Sequence, residues 1–234
     1  MEILIIALLS FFSVMIVRWI PPFPQEHLRY LIAFTGGFLL SVCVVHLLPE
    51  LFVVTNPDIS KYILIGFFIQ ILLDQLSAGA EHGHLHIHAE KPWQPWIILG
   101  GLCLHSILEG LPLKGHAELH GHHPTDFMAA VTLHKVPEGL ILGLLLSRLS
   151  LSRFKFGAIA LLFALMTPAG SLLASIWQTE PDLQLSAKLM ALVVGLFLHL
   201  STSILFEAGS HAHKISVTRI LVIAAGILSA YWLI

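Results

Sequence analysis

Charged side chains are scarce in this chain of 234 residues. Only 11% of the residues are Asp, Glu, Lys or Arg, whereas 56% are hydrophobic. Because a soluble globular domain carries about 25% charged residues, this composition indicates that lipid surrounds most of the surface. The net charge of −2 and the lack of a basic run argue against nucleic acid as a partner.

Cysteines and several common motifs are also few or absent. The two cysteines, Cys43 and Cys103, lie in apolar segments, and neither belongs to a C-x-x-C pair. We therefore expect packed thiols and no zinc ribbon. The lack of a G-x-x-x-x-G-K-[ST] loop argues against a pump driven by ATP.

Long apolar segments occupy most of the chain. A membrane-spanning helix needs about 20 mostly apolar residues, and eight segments meet this condition. They lie near residues 2–20, 28–49, 60–79, 94–113, 125–147, 155–177, 186–207 and 215–234. The expected fold is an all-α integral membrane protein, with residues 1–234 forming one transmembrane domain of eight helices.

The basic residues predict the orientation in the membrane. One set of alternate loops holds eight of them: Arg18, Arg29, Lys91, Arg148, Arg153, Lys155, Lys214 and Arg219. The other set holds three, Lys61, Lys114 and Lys188. By the positive-inside rule the richer side is cytoplasmic, and with eight spans both termini lie outside.

Spans four and five carry near-copies of one motif. Span four has Leu-His-Ser-Ile-Leu-Glu-Gly-Leu at residues 104–111, and span five has Leu-His-Lys-Val-Pro-Glu-Gly-Leu at 133–140. His and Glu at i and i+4 share one helix face. Ionisable residues inside a membrane usually mark function because their burial is costly. His105, Glu109, His134 and Glu138 would form a four-ligand site for a divalent transition metal. The alternative is that each His is a packing residue and each Glu is protonated.

Prolines follow or interrupt both motifs. We expect Pro112 and Pro137 to remove backbone donors and to leave the carbonyls of Leu108 and Leu133 without their helix partners. Such distortion is tolerated where a helix lines a polar cavity.

Other intramembrane polar residues are candidates for a metal path. Span two ends with His46 and Glu50, and span seven carries His199 and Glu207. The alternative for both glutamates is a location at a helix end in water.

Two loops are rich in histidine. A short tract of this kind can bind metal without a fixed fold. The loop near residues 80–92, expected to be cytoplasmic, contains His82, His84, His86 and His88. The loop near 114–124, expected outside, contains His116, His120, His122 and His123.

The chain resembles the ZIP (Zrt-, Irt-like) family of divalent-metal transporters. The resemblance lies in the eight spans, the paired motifs, the His-rich loop after span three and the run His-Leu-Leu-Pro-Glu at 46–50. The resemblance implies that His105, Glu109, His134 and Glu138 form the transport site, and that metal moves into the cytosol across a plasma or inner membrane. It favours Zn²⁺ as the transported substrate, with Fe²⁺, Mn²⁺, Co²⁺ and Cd²⁺ also compatible with the ligands. No cofactor is expected, and the sequence leaves open whether the protein forms a homodimer.

The second-site positions depart from the pattern of family members that bind two metals. Ser106 and Lys135 stand where polar or acidic ligands of a second ion occur in such members. Because a charged lysine has no lone pair, we expect one metal, with Lys135 pairing with Glu109 or Glu138. The alternative is that Lys135 extends to the membrane surface.

Two other functions remain open from the sequence. An intramembrane zinc-dependent hydrolase would also need His and acidic residues around a metal-bound water, although no H-E-x-x-H motif is present. A metal sensor without transport would keep the ligands and lack a continuous path.

Overall fold

A computed structural model describes residues 2–19, 25–54, 58–82, 93–115, 125–177, 182–210 and 217–233. The described residues form helices and turns and contain no strand. The all-α prediction is therefore confirmed.

Ten α-helices follow one another along the described chain. They are α1 (Glu2–Ile16), α2 (Gln25–Ser41), α3 (Leu48–Val53), α4 (Ile59–Ser77), α5 (Gln94–Gly110), α6 (Thr125–Ser147), α7 (Arg153–Ala164), α8 (Met166–Trp177), α9 (Leu183–Ser210) and α10 (Val217–Leu233). A π-helical segment, Val42–Leu47, joins α2 to α3, and short 3₁₀ turns lie at Ala80–His82 and Leu111–Leu113.

Six helical stretches among the described residues are long and apolar enough to cross a membrane. They are Glu26–Val53, Ile59–Ser77, Gln94–Leu113, Asp126–Ser147, Arg153–Ile176 and Leu183–Glu207. Two further apolar helices, Ile3–Ile16 and Val217–Trp232, are shorter. An integral membrane protein with several spans is thus confirmed, whereas the count of eight and the location of the termini remain predictions.

Two of the stretches are interrupted near a proline. Pro49 has no N–H to donate to Val45, and the preceding turn widens, so that the N–H of Leu48 bonds to the carbonyl of Cys43. Pro168 cannot donate to Ala164, and the chain turns at Leu165, between α7 and α8.

The expected free carbonyl beside Pro112 is absent. Helix α5 ends at Gly110, and the N–H of Leu111 donates to the carbonyl of Leu108 as the 3₁₀ turn begins. Tightening of the last turn replaces the donor that Pro112 lacks. Helix α6, by contrast, continues through Pro137.

The helices pack chiefly within two groups. One group contains α2, α4, α9 and α10, and the other contains α1, α5, α6, α7 and α8. Contacts between α4 and α5 join the two groups. The motif helices α5 and α6 are both in the second group, where α5 packs mainly against α8 and α6 packs mainly against α1.

Candidate metal centre

Three of the four predicted ligands meet in the interior of the bundle. His105 and Glu109 come from α5 and His134 comes from α6, and all three side chains are buried. Their ligand atoms lie within 4.8 Å of one another, and this group is the metal-compatible cluster found in the part of the chain that the structure describes.

One oxygen of Glu109 faces both imidazoles. Glu109 Oε1 lies 2.9 Å from His105 Nε2 and 3.7 Å from His134 Nε2. Donor atoms in a tetrahedral zinc site with bonds of ~2.0–2.1 Å are roughly 3.4 Å apart. Both separations from Glu109 Oε1 are therefore close to the one that a single ion needs.

Glycines allow neighbouring helices to approach the two motifs. A Cβ atom on Gly110 would lie 2.1 Å from the carbonyl oxygen of Thr167 on α8. A Cβ atom on Gly139 would lie 2.6 Å from the Cβ of Ser13 on α1. Each glycine follows a motif glutamate, so close helix contacts hold both carboxylates in position.

The fourth predicted ligand, Glu138, lies outside this three-residue cluster. Its Oε2 accepts a bond of 2.6 Å from Lys135 Nζ, and its Oε1 accepts one of 3.2 Å from the hydroxyl of Ser106. Lys135 also contacts Glu109 Oε2 and donates to the hydroxyl of Ser106 at 2.9 Å. The ammonium thus links Glu138 to the carboxylate that faces the two histidines.

Lys135 is fully buried, so its side chain does not reach the membrane surface. Its ammonium has two carboxylates and one hydroxyl as partners and lies 5.7 Å from the ring centre of Phe163. A buried ammonium is tolerated only when it is paired and hydrogen-bonded. The two glutamates of the motifs therefore share one internal cation.

Sequence reasoning missed two residues that lie behind His105. Gln70 of α4 accepts a bond of 2.8 Å from His105 Nδ1, and Gln70 Nε2 donates to Glu81 Oε2 at 2.6 Å. Both side chains are buried. An amide in the middle of an apolar span was the available signal for Gln70. Glu81 lies next to the His-rich tract, and the sequence interpretation considered only the histidines of that loop.

The candidate path residues of span two have an acidic neighbour on α6. His46 Nδ1 lies 3.2 Å from Asp126 Oδ2, and Glu50 lies one turn beyond His46, within the electrostatic influence of Asp126. His46 belongs to the π-helical segment, and segments of this type are frequent at functional sites. Asp126 was not among our sequence candidates.

His199 and Glu207 are not brought into the cluster. The ring of His199 packs edge-on against Phe67, with ring centres 5.0 Å apart, and its Nε2 lies 3.4 Å from the hydroxyl of Ser203. Glu207 lies two turns further along α9 and is half-buried. The histidine side chains of both His-rich loops lie outside the described residues.

Comparison with known proteins identifies the family. The profile described as ZIP Zinc transporter matches residues 77–233, well over half of the chain and including both motifs. The chain belongs to the ZIP family. Protein zntC of Dictyostelium discoideum is 32% identical over 120 residues, which make up 49% of this chain and 29% of zntC. The alignment thus spans less than a third of that relative's length.

Family membership confirms the resemblance on which the sequence interpretation depended. The family is one of transporters, so membership supports transport of a divalent metal, agrees with the prediction that the chain is not an enzyme and argues against the intramembrane hydrolase. The family description does not specify the ligand set, the direction of movement or the ion that this chain transports.

Proposed function

We propose that this ZIP protein carries Zn²⁺ into the cytosol through a site between α5 and α6. The observation that supports the proposal is the buried group His105, Glu109 and His134 at the junction of two apolar helices. Glu138 completes the proposed ligand set. Fe²⁺, Mn²⁺, Co²⁺ and Cd²⁺ fit the same imidazole and carboxylate donors, and zinc is favoured by the family description.

The site is proposed to hold one ion at a time. With Glu109, Glu138 and Lys135 ionised, the group has a net charge of −1. One dication changes this charge to +1, whereas a second would raise it to +3 in a buried environment, where unpaired charge is strongly unfavourable. The Lys135 ammonium thereby takes the place of a second metal between Ser106, Glu109 and Glu138.

Polar side chains at both ends extend the proposed path. His46, Glu50 and Asp126 would receive the ion from outside. On the cytoplasmic side the His-rich loop would accept it, while the loop near 114–124 would collect metal outside. His199 and Glu207 stay predicted path residues. The case for them is weaker than for His46 and Glu50, because the ring of His199 packs against Phe67 and contacts the hydroxyl of Ser203.

Transport requires that the site open to each side in turn. We propose that the group α2, α4, α9 and α10 moves relative to the group that carries the site. The proposed topology has eight spans with both termini outside. The proposed location is a plasma or inner membrane. A homodimer stays a prediction for the assembly.

Uptake into reconstituted vesicles tests the proposal. The purified protein is placed in vesicles that contain a zinc-sensitive dye, and Zn²⁺ is added outside. Because loss of a ligand removes direct metal contacts, His134→Ala and Glu138→Ala are expected to lower the initial uptake rate at least about tenfold. Vesicles without protein give the background.

Matched controls use the same substitutions at exposed positions of α2. His27→Ala and Glu26→Ala remove a histidine and a glutamate that lie far from the site in sequence and are exposed, so wild-type uptake is expected. Uptake that survives both His134→Ala and Glu138→Ala would eliminate the site assignment. Loss with His134→Ala alone would reduce the ligand set to the three clustered residues.

A further inference from the structure

A row of buried polar groups leads away from the metal centre on the side opposite Glu109. His105 Nδ1 donates to Gln70 Oε1 at 2.8 Å, and Gln70 Nε2 donates to Glu81 Oε2 at 2.6 Å. Gln70 and His105 are completely buried, and Glu81 is 2% exposed. The three residues come from α4, from α5 and from the turn after α4.

The last member of this row determines the direction of every hydrogen bond in it. Carboxylate oxygens accept hydrogen bonds, and the NH₂ group of Gln70 faces Glu81 Oε2. The amide oxygen of Gln70 must then face His105. Because that oxygen only accepts, His105 must carry a proton on Nδ1, and Nε2 is the nitrogen left to bind metal.

We propose that Gln70 and Glu81 are positioning residues that select the tautomer and the ring orientation of His105 for metal capture. This inference rests on the proposed transport site. The orientation is productive, because Nε2 lies 2.9 Å from Glu109 Oε1 and the His105 ring centre lies 5.6 Å from that of His134.

The backbone after α4 is built to return Glu81 to the interior. Helix α4 ends at Ser77, and Ala78 and Gly79 adopt positive φ angles of 51° and 70°. A positive φ is unfavourable for alanine and persists where surrounding contacts maintain it. The turn reverses the chain, so that Ala80 is fully buried and Glu81 reaches Gln70, eleven residues earlier.

Burial of Glu81 is not explained by its own stabilisation. Its Oε1 is buried and has no hydrogen-bond partner among the described residues. A buried carboxylate with half of its capacity unused is costly. A benefit to His105 accounts for the location, because Glu81 Oε2 lies 3.9 Å from His105 Nδ1 and favours the positive charge that a bound metal brings.

Equilibrium Zn²⁺ binding to the detergent-purified full chain tests this inference. Gln70→Leu removes the acceptor and is expected to weaken binding by about 10–100-fold. The isosteric Glu81→Gln leaves the end of the row able to donate or accept, so the direction is no longer imposed, and a smaller loss of about 3–10-fold is expected. If Gln70→Leu does not fold, the Zn²⁺ affinity of Glu81→Gln tests the inference by itself.

An exchanged pair separates positioning from general packing. The double variant Q70E/E81Q presents a carboxylate directly to His105 and an amide behind it. His105 Nδ1 again has an obligatory acceptor, while the bond between positions 70 and 81 runs in the opposite direction. Its affinity is expected to return to within about threefold of the wild type. Thr35→Val, a substitution at a buried hydroxyl on α2, is the control and should leave affinity unchanged.

Imidazole ¹⁵N NMR of the zinc-loaded protein gives a readout that a packing role would not change. The His105 signals are those lost in His105→Ala. A protonated Nδ1 and a metal-bound Nε2 are expected in the wild type and in Q70E/E81Q, with mixed signals in Glu81→Gln. Wild-type affinity and spectra in both single variants, alongside weak binding by His105→Ala, would overturn the positioning role. Wild-type binding by His105→Ala would instead overturn the proposed transport site.

Discussion

At the residue scale, the proposal of a single bound metal depends on Lys135. Its ammonium is surrounded by Ser106, Glu109 and Glu138, a hydroxyl and two carboxylates that would also suit a divalent cation. Removing one partner of a buried ion pair leaves uncompensated charge, whereas a replacement ion restores the balance. We therefore propose that Lys135 determines both the stability of the empty site and the number of ions that it accepts.

Lys135→Ala is expected to raise the zinc content from one ion per chain to two, because the three oxygens become available. In the absence of zinc the free energy of unfolding should fall by about 3–5 kcal/mol. Elemental analysis of the dialysed protein gives the stoichiometry, and thermal melts with and without zinc give the stability change.

Lys61→Ala is the matched control, because Lys61 is exposed and pairs with Asp58 at 2.7 Å at the start of α4. One zinc per chain is expected there, with little change in stability. An unchanged zinc content in Lys135→Ala would refute the view that the ammonium replaces a second ion.

At the element scale, glycines determine how closely the helices around the site approach. Gly110 of α5 and Gly170 of α8 face each other, so that a Cβ on Gly170 would lie 2.0 Å from the carbonyl oxygen of Ile107. Backbone contact of this kind is typical of helix pairs in membranes. Because Gly110 follows Glu109, separation of the two helices would also displace a proposed ligand.

Gly110→Ala is expected to lower the free energy of unfolding by about 1–3 kcal/mol, because the added methyl group meets backbone atoms that cannot rotate away. Weaker zinc binding should accompany this loss. Thermal unfolding in detergent and a zinc titration measure both effects.

Gly100→Ala on the same helix is the control, since a Cβ there meets nothing within 4 Å. It should keep wild-type affinity and stability. Equal behaviour of the two variants would mean that the contact between α5 and α8 does not hold the site.

At the scale of the whole molecule, the distribution of basic residues predicts which loops face the cytoplasm. In a Cys43→Ser, Cys103→Ser background, Lys114→Cys should react with a membrane-impermeant maleimide on intact cells, because that loop is predicted outside. His84→Cys should react only after permeabilisation. The reverse pattern would invert the proposed topology, and equal labelling on intact cells would mean that the segment between the loops does not cross the membrane.

The apolar helices were predictable because their signal is local. Hydropathy over about 20 residues indicated the segment at 94–113, and the structure has an apolar stretch at Gln94–Leu113. The i, i+4 spacing of His105 and Glu109 likewise follows from helix geometry alone. The prediction that the carbonyl of Leu108 has no helix partner was wrong. The last turn of a helix adjusts to the chain that follows it, and the local pattern does not show this adjustment.

The amino-acid sequence by itself determined the class of protein, the apolar helices and the pairing of histidine with glutamate on each motif helix, because these depend on composition and on a repeat of 3.6 residues. Only the tertiary structure decided that Lys135 joins Glu109 to Glu138, that Asp126 meets His46 and that Gln70 supports His105. Gln70 and His105 are 35 residues apart, and no periodicity relates positions so distant. Their contact results from the packing of α4 against α5, where buried polar groups must find partners that lipid cannot provide.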